Sequence, residues 1–141
     1  RRIMNFEEAK QKAIKYIGIS KKTIYEVKQK LNRLGYNQDI IDKVISYLLN
    51  IGYLDDNDYA QSYIRQCTRL LNYSIFEIKQ KLLQKGIKKD IIEEKISFLY
   101  DTDYEKKITE KLLSTKCKNM DPIKIKQYLY RRGLKLYEED L

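Results

Sequence analysis

Three stretches of this chain are versions of one helix. Thr23 to Gly35 reads TIYEVKQKLNRLG, Ser74 to Gly86 reads SIFEIKQKLLQKG, and Asp121 to Gly133 reads DPIKIKQYLYRRG. Each opens on a residue that can accept the orphan backbone N–H groups of a helix start, and Ser74 with Glu77 forms a capping-box pattern. Each closes, twelve residues later, on a glycine able to take the left-handed conformation that stops a helix. Between them the centre is apolar-Lys-Gln-x-Leu in all three, at 27–31, 78–82 and 125–129. A punctuated amphipathic segment met three times at this spacing is an internal repeat, and it commits the chain to an array of small helical units.

The flanking sequence completes the units. Asn5 with Glu8 reads as a cap pair, and Phe6, Ala9, Ala13, Ile14 and Ile17 mark one face of a first helix that ends near Gly18. After Gly35 a third helix carries Ile40, Ile41, Val44, Ile45, Leu48 and Leu49 and stops at Gly52. Asp55 or Asp56 caps the next helix, with Tyr59, Ala60, Tyr63, Ile64 and Cys67 on one side. Ile91, Ile92, Ile96 and Leu99 mark the last helix of that unit. Residues 24–48 and 75–99 align without a gap and are identical at 13 of 25 positions, so the second unit is a duplicate of the first. Thr102 with Glu105 predicts a capping box for a final unit whose first helix holds Ile108, Leu112 and Leu113. Pro122 sits at the first position of its middle helix, where a missing N–H costs nothing. The expectation is an all-α protein of three tandem three-helix repeats, 1–52, 53–100 and 101–141, the last with an incomplete third helix. Units this small bury their apolar faces by stacking, which predicts a continuous core in an elongated, curved array. Because the sequence starts at Arg1, residues upstream are expected to be missing.

Charge and residue usage narrow the function. Of a net charge of +9, +6 falls within residues 1–52, which points to an anionic partner such as nucleic acid. The abundance of Lys, Ile, Asn and Tyr is equally what AT-rich coding bias produces. There is no histidine, which removes most general-base and zinc chemistry. The carboxylates gather at helix starts (Asp55, Asp56, Glu77, Glu105, Asp121), where orphan amides and the helix dipole account for them. Asp55-Asp56-Asn57-Asp58 lacks the glycine and glutamate of a calcium loop, and no glycine-rich phosphate loop is present. These readings argue against an enzyme, and no cofactor or metal is expected. Cys67 and Cys117 show no metal or redox spacing and read as free thiols of a reducing compartment. No stretch is long and apolar enough to span a membrane, and no signal peptide is visible.

The cations that matter ride on the repeated helix: Lys28, Lys30 and Arg33; Lys79, Lys81 and Lys85; Lys126, Arg131 and Arg132. If the units stack regularly, these make a repeating basic ridge, either a solvated face or a surface matched to a periodic anionic partner, a nucleic-acid backbone or a filament. The helix-turn-helix pattern also invites a test for base reading. Its recognition helices, Gln38 to Asn50 and Lys89 to Tyr100, are mostly apolar and carry Asp39, Asp42, Glu93 and Glu94, which argues against a major-groove fit. Tyr16, Tyr47 and Tyr63 read as core, while Tyr128 and Tyr130 flank an apolar position and are candidates for stacking on single-stranded bases.

From Gly52-Tyr53-Leu54-Asp55-Asp56 through Tyr59-Ala60 the sequence resembles the RecX family of recombination regulators. Ile78, Leu82, Lys85, Gly86 and Ile87 fit a second element of that family, and Leu129, Arg131, Arg132 and Gly133 fit a third, with Leu134 where the family usually has an aromatic. Lys21-Lys22-Thr23 stands where Arg-Ser is more usual. The resemblance implies a cytoplasmic protein of three tandem three-helix repeats that binds the RecA recombinase filament on DNA, and a monomer is expected. It implies suppression of the filament's ATP hydrolysis, strand exchange and co-protease activity, with weak electrostatic contact to DNA itself. The residue-level reading leaves two alternatives open, a nucleic-acid-binding helical repeat protein acting without RecA and a helical scaffold for another protein.

Overall fold

In a computed structural model, residues 5–137 form eight α-helices and one short 3₁₀ turn, with no strand among the described residues. Residues 1–4 of the first unit and 138–141 of the last lie outside the described residues; 134–137 follow the final helix without forming another. The helices are α1 (Phe6–Ile19), α2 (Ile24–Arg33), α3 (Gln38–Asn50), α4 (Asp56–Leu70), α5 (Ile75–Gln84), α6 (Lys89–Ile96), α7 (Tyr104–Ser114) and α8 (Pro122–Arg131), with the 3₁₀ turn Ser97–Asp101 extending α6. They group as α1–α3, α4–α6 and α7–α8. None is long and apolar enough to cross a membrane.

The punctuation works as local chemistry requires. Thr23 and Ser74 accept the N–H groups of Glu26 and Glu77, and those glutamates reach back to the cap N–H, closing a capping box on α2 and on α5. Asp121 caps α8 with Pro122 beside it. At the other ends Gly35, Gly52, Gly86 and Gly133 all take positive φ. The residue after three of these glycines folds back onto the helix: the N–H groups of Tyr36, Ile87 and Leu134 donate to the carbonyls of Leu31, Leu82 and Leu129, and all three side chains are buried. Two expected partnerships differ. Asn5 caps α1, but Glu8 accepts from the hydroxyl of Tyr36 and does not return to the cap. Thr102 and Glu105 make no capping box on α7, whose N-cap residue is Asp103 with no side-chain cap bond. Thr102 Oγ1 accepts from the Tyr104 N–H and donates to the Leu99 carbonyl, and Glu105 leaves its own helix altogether.

Glu105 is spent on a junction that occurs twice. The N-terminus of α5 meets the C-terminus of α8. Ser74 Oγ donates to the Arg132 carbonyl (2.5 Å), the Ile75 N–H donates to Glu105 Oε2 (3.0 Å), and Arg132 Nε donates to Glu77 Oε2 (2.7 Å). The N-terminus of α2 meets the C-terminus of α5 through the equivalent atoms. Thr23 Oγ1 donates to the Lys85 carbonyl (2.6 Å), the Ile24 N–H to Asp56 Oδ1 (3.0 Å), and Lys85 Nζ lies 3.9 Å from Glu26. The orphan amides of one helix start and the orphan carbonyls of the next helix end thus satisfy each other, with opposite dipole ends in contact. The contact is close enough to demand glycine: a Cβ on Gly133 would stand 2.7 Å from Phe76 Cβ, and one on Gly86 would overlap Tyr25 Cβ.

The core is divided, where stacking alone predicts one continuous core. Ala9, Ala13, Val27, Leu31, Ile41, Val44 and Leu48 form a cluster within α1–α3. A second cluster runs from Ala60 to Leu134 and is shared by α4–α6 and α7–α8. The reason lies in what faces each junction. Between the first two units the side-chain links are polar, including Lys21 to Asp58 (2.7 Å) and to Ser62 (3.0 Å). Between the last two, Tyr104 is buried with its hydroxyl donating to the Tyr73 carbonyl, and Ile108, Leu129 and Leu134 close against the second unit.

Candidate interaction surface of the middle helices

On α2, α5 and α8 the fourth and eighth residues after the cap point inward. Val27, Leu31, Ile78, Leu82 and Leu129 are buried, and Ile125 is partly buried against the shared core. The cations are fixed by that choice. Residues two apart on a helix point in nearly opposite directions, so the fifth- and seventh-position cations leave the core on opposite flanks and form two rails, not one ridge.

On the fifth-position flank, Lys79 Nζ sits 2.8 Å from Glu93 of α6 and 5.0 Å from the Tyr100 ring centre. The hydrogen bond that Lys79 donates to Glu93 raises the Lys79 pKa, and the same bond lowers that of Glu93. Lys28 and Lys126, its counterparts, are exposed. On the seventh-position flank, Lys30 lies over Tyr16 of α1 and Lys81 over Tyr73, with centroid distances of 5.4 and 4.5 Å. Arg33 and Arg131, both exposed, continue this flank.

Lys85 and Arg132 belong to the junctions. Lys85 lies near Glu26 and within 5.9 and 5.8 Å of the Tyr59 and Tyr63 ring centres. Arg132 binds Glu77, the Asn72 carbonyl (2.8 Å) and the Tyr128 hydroxyl (3.1 Å), and its pKa rises chiefly through the bond to Glu77. Of the nine cations singled out in the sequence, the outward-facing ones are therefore Lys28, Arg33, Lys126 and Arg131. Tyr128 is held by Arg132 and the core, whereas Tyr130 is 81% exposed. Cys67 and Cys117 are buried free thiols, their pKa values raised by burial.

Sequence reasoning did not find the bridging roles of Asp56 and Glu105. Each is half-buried between units, and desolvation raises its pKa against the backbone hydrogen bond that lowers it. The available signal was that both precede the helix they serve by position but follow it in sequence, at the start of the next unit.

The fold is that of a tandem helical repeat protein built from three-helix units. The model described as RecX, first three-helix domain, matches residues 9–48, and that described as RecX, second three-helix domain, matches residues 55–96. Together they cover more than half of the chain, and the chain belongs to the RecX family. It is 36% identical over 129 residues to the regulatory protein RecX of Clostridium botulinum (strain Eklund 17B / Type B), covering 88% of this chain and 59% of that protein. It is 34% identical over 132 residues to RecX of Clostridium beijerinckii (strain ATCC 51743 / NCIMB 8052), covering 90% and 61%. The chain thus spans about three fifths of the length of these relatives. A crystal structure of RecX from Lactobacillus salivarius superposes with a TM-score of 0.76 at 26% identity, covering 96% of this chain and 90% of that one.

Proposed function

We propose that the protein binds the RecA filament on DNA and suppresses its ATP hydrolysis and strand exchange. The observation that carries the reading is the repetition of the middle helix. Lys28, Lys79 and Lys126 occupy the same place in three units whose helices are joined end to end, so the surface is periodic, as a filament is. Contact with bare DNA is weak and electrostatic, because five of the nine cations are already engaged within the protein. The protein acts as a monomer in the cytoplasm, and no bond is made or broken on it.

The test is the ATPase of RecA on single-stranded DNA with increasing amounts of the full protein. The expected result is saturable inhibition. Stimulation would reverse the sign of the regulation, and no effect together with no filament binding would overturn the reading. Tight, steeply salt-dependent binding to DNA without RecA would favour a nucleic-acid-binding protein that acts alone.

A further inference from the structure

The cations draw attention away from what lies between them. The second, sixth and ninth residues after each cap lie together on the outer side of the middle helices, within about 60° of arc, between the fifth- and tenth-position side chains. The second is Tyr25, Phe76 or Ile123; the ninth is Asn32, Leu83 or Tyr130; the sixth is glutamine in all three units. Not one of these nine positions is charged, in a chain where 35% of residues are. A helix face turned only to water is normally the charged one. Here it carries rings and aliphatic chains at high exposure, with Tyr130 at 81%, Ile123 at 67% and Phe76 at 53%.

Packing within the protein does not explain the pattern. Tyr25 and Phe76 lend their Cβ atoms to the junction glycines, yet remain largely exposed beyond them. Ile123 has no following unit to meet among the described residues and is apolar all the same. In the second unit the strip borders a depression of about 340 Å³ between α5 and α6, lined by Phe76, Gln80, Leu83 and Ile92 with Lys79 and Glu93 at its side.

We infer that this uncharged strip is a protein-docking surface. It fits a polypeptide face with apolar side chains along its centre and carboxylates along its edges. Lys28 and Lys126 on one edge and Arg33 and Arg131 on the other are the exposed cations that such carboxylates meet. A phosphate backbone would want its cations at the centre of the contact, and the centre here is apolar and amide. Exposed aromatic and aliphatic anchors within a charged rim are the usual energetic core of a protein interface. Glutamine at the middle of each strip can donate to and accept from a partner's backbone.

The inference rests on the filament reading for its partner, and the experiment separates the two. The full protein and the variant L83Q/I123Q/Y130Q are compared for binding to RecA filaments on single-stranded DNA and to the same DNA alone. All three sites are exposed, so helical content by circular dichroism stays that of the wild type, and Y130Q alone serves as a milder second variant. The expected result is filament binding weakened roughly tenfold or more in the triple variant and a few-fold in Y130Q, a loss on the scale of truncated interface anchors, with binding to bare DNA unchanged. Equal filament binding by wild type and both variants overturns the docking strip while leaving the filament reading standing. Parallel loss on bare DNA means the rings stack on bases, and also overturns it. A wild type that does not bind the filament overturns the reading beneath both.

Discussion

At the scale of single residues, what matters most is an absence of atoms. Gly52 and Gly86 both sit near φ +80°, so both tolerate a side chain poorly for backbone reasons. Only Gly86 also receives another unit, with Tyr25 where its Cβ would be, while nothing lies within 4 Å at Gly52. Gly52→Ala is therefore expected to cost about 1 kcal/mol, the strain of a left-handed alanine. Gly86→Ala is expected to cost roughly 3 kcal/mol, since close-packed backbone contacts yield little to an added carbon. Urea unfolding of the two variants measures the difference, and equal costs would mean the junction is looser than its geometry. The glycines were legible in the sequence as helix stops. Their second duty was not, because the atom that enforces it lies about sixty residues away.

At the scale of elements, the helix ends carry the specificity that the helix bodies do not. Capping and apolar spacing could be read directly, since a cap and the amides it serves are three residues apart. Glu105 shows where that reading fails. Its spacing from Thr102 matched a capping box, but the backbone places it against the N-terminus of α5 and the Ile75 N–H claims it. Burial pushes its carboxyl above the ordinary glutamate range, with Glu77 adding to the effect and the Ile75 bond, Lys135 and Lys79 opposing it. The folded protein therefore holds this proton more tightly than the unfolded chain. The stability it contributes is present below the unfolded pKa and is lost as pH rises through the folded one. Glu105→Gln keeps an oxygen for Ile75 and carries no charge. It is expected to be at least as stable as the wild type at pH 7, an advantage that closes by pH 4. A thermal-unfolding series across that range checks it; a variant less stable at pH 7 and equal at pH 4 would refute the sign.

At the scale of the whole molecule, two cores are coupled through a polar joint. The four residues that open the middle helices decide whether such a joint can form. Thr23-Ile24-Tyr25-Glu26 and Ser74-Ile75-Phe76-Glu77 supply a hydroxyl donor, an N–H for the carboxylate of the next unit, a ring and a carboxylate. Asp121-Pro122-Ile123-Lys124 supplies an acceptor without a proton, no N–H, no ring and a cation. Grafting the third set onto the first helix, as T23D/I24P/Y25I/E26K, should separate α1–α3 from the remainder while leaving each core intact. Calorimetry is expected to resolve two transitions in the variant, with new proteolytic cleavage in the 51–55 linker. A single transition at the wild-type temperature would show that the cores are coupled by something else. This substitution pattern was present in the aligned repeats, but it had no meaning until the atoms each residue meets were known.

The end-to-end joining of α8, α5 and α2 also gives the protein an arrow. Every joint pairs a helix start with a helix end in the same sense, so one extremity of the row is an amino end, blunted by Asp121 and Pro122, and the other is the carboxyl end closed by Leu34 and Gly35. Turned through half a revolution, the row would not coincide with itself. On the proposed function the partner is a filament with unlike ends, and the expectation is then that the two mate in one direction only, with successive copies all facing the same way.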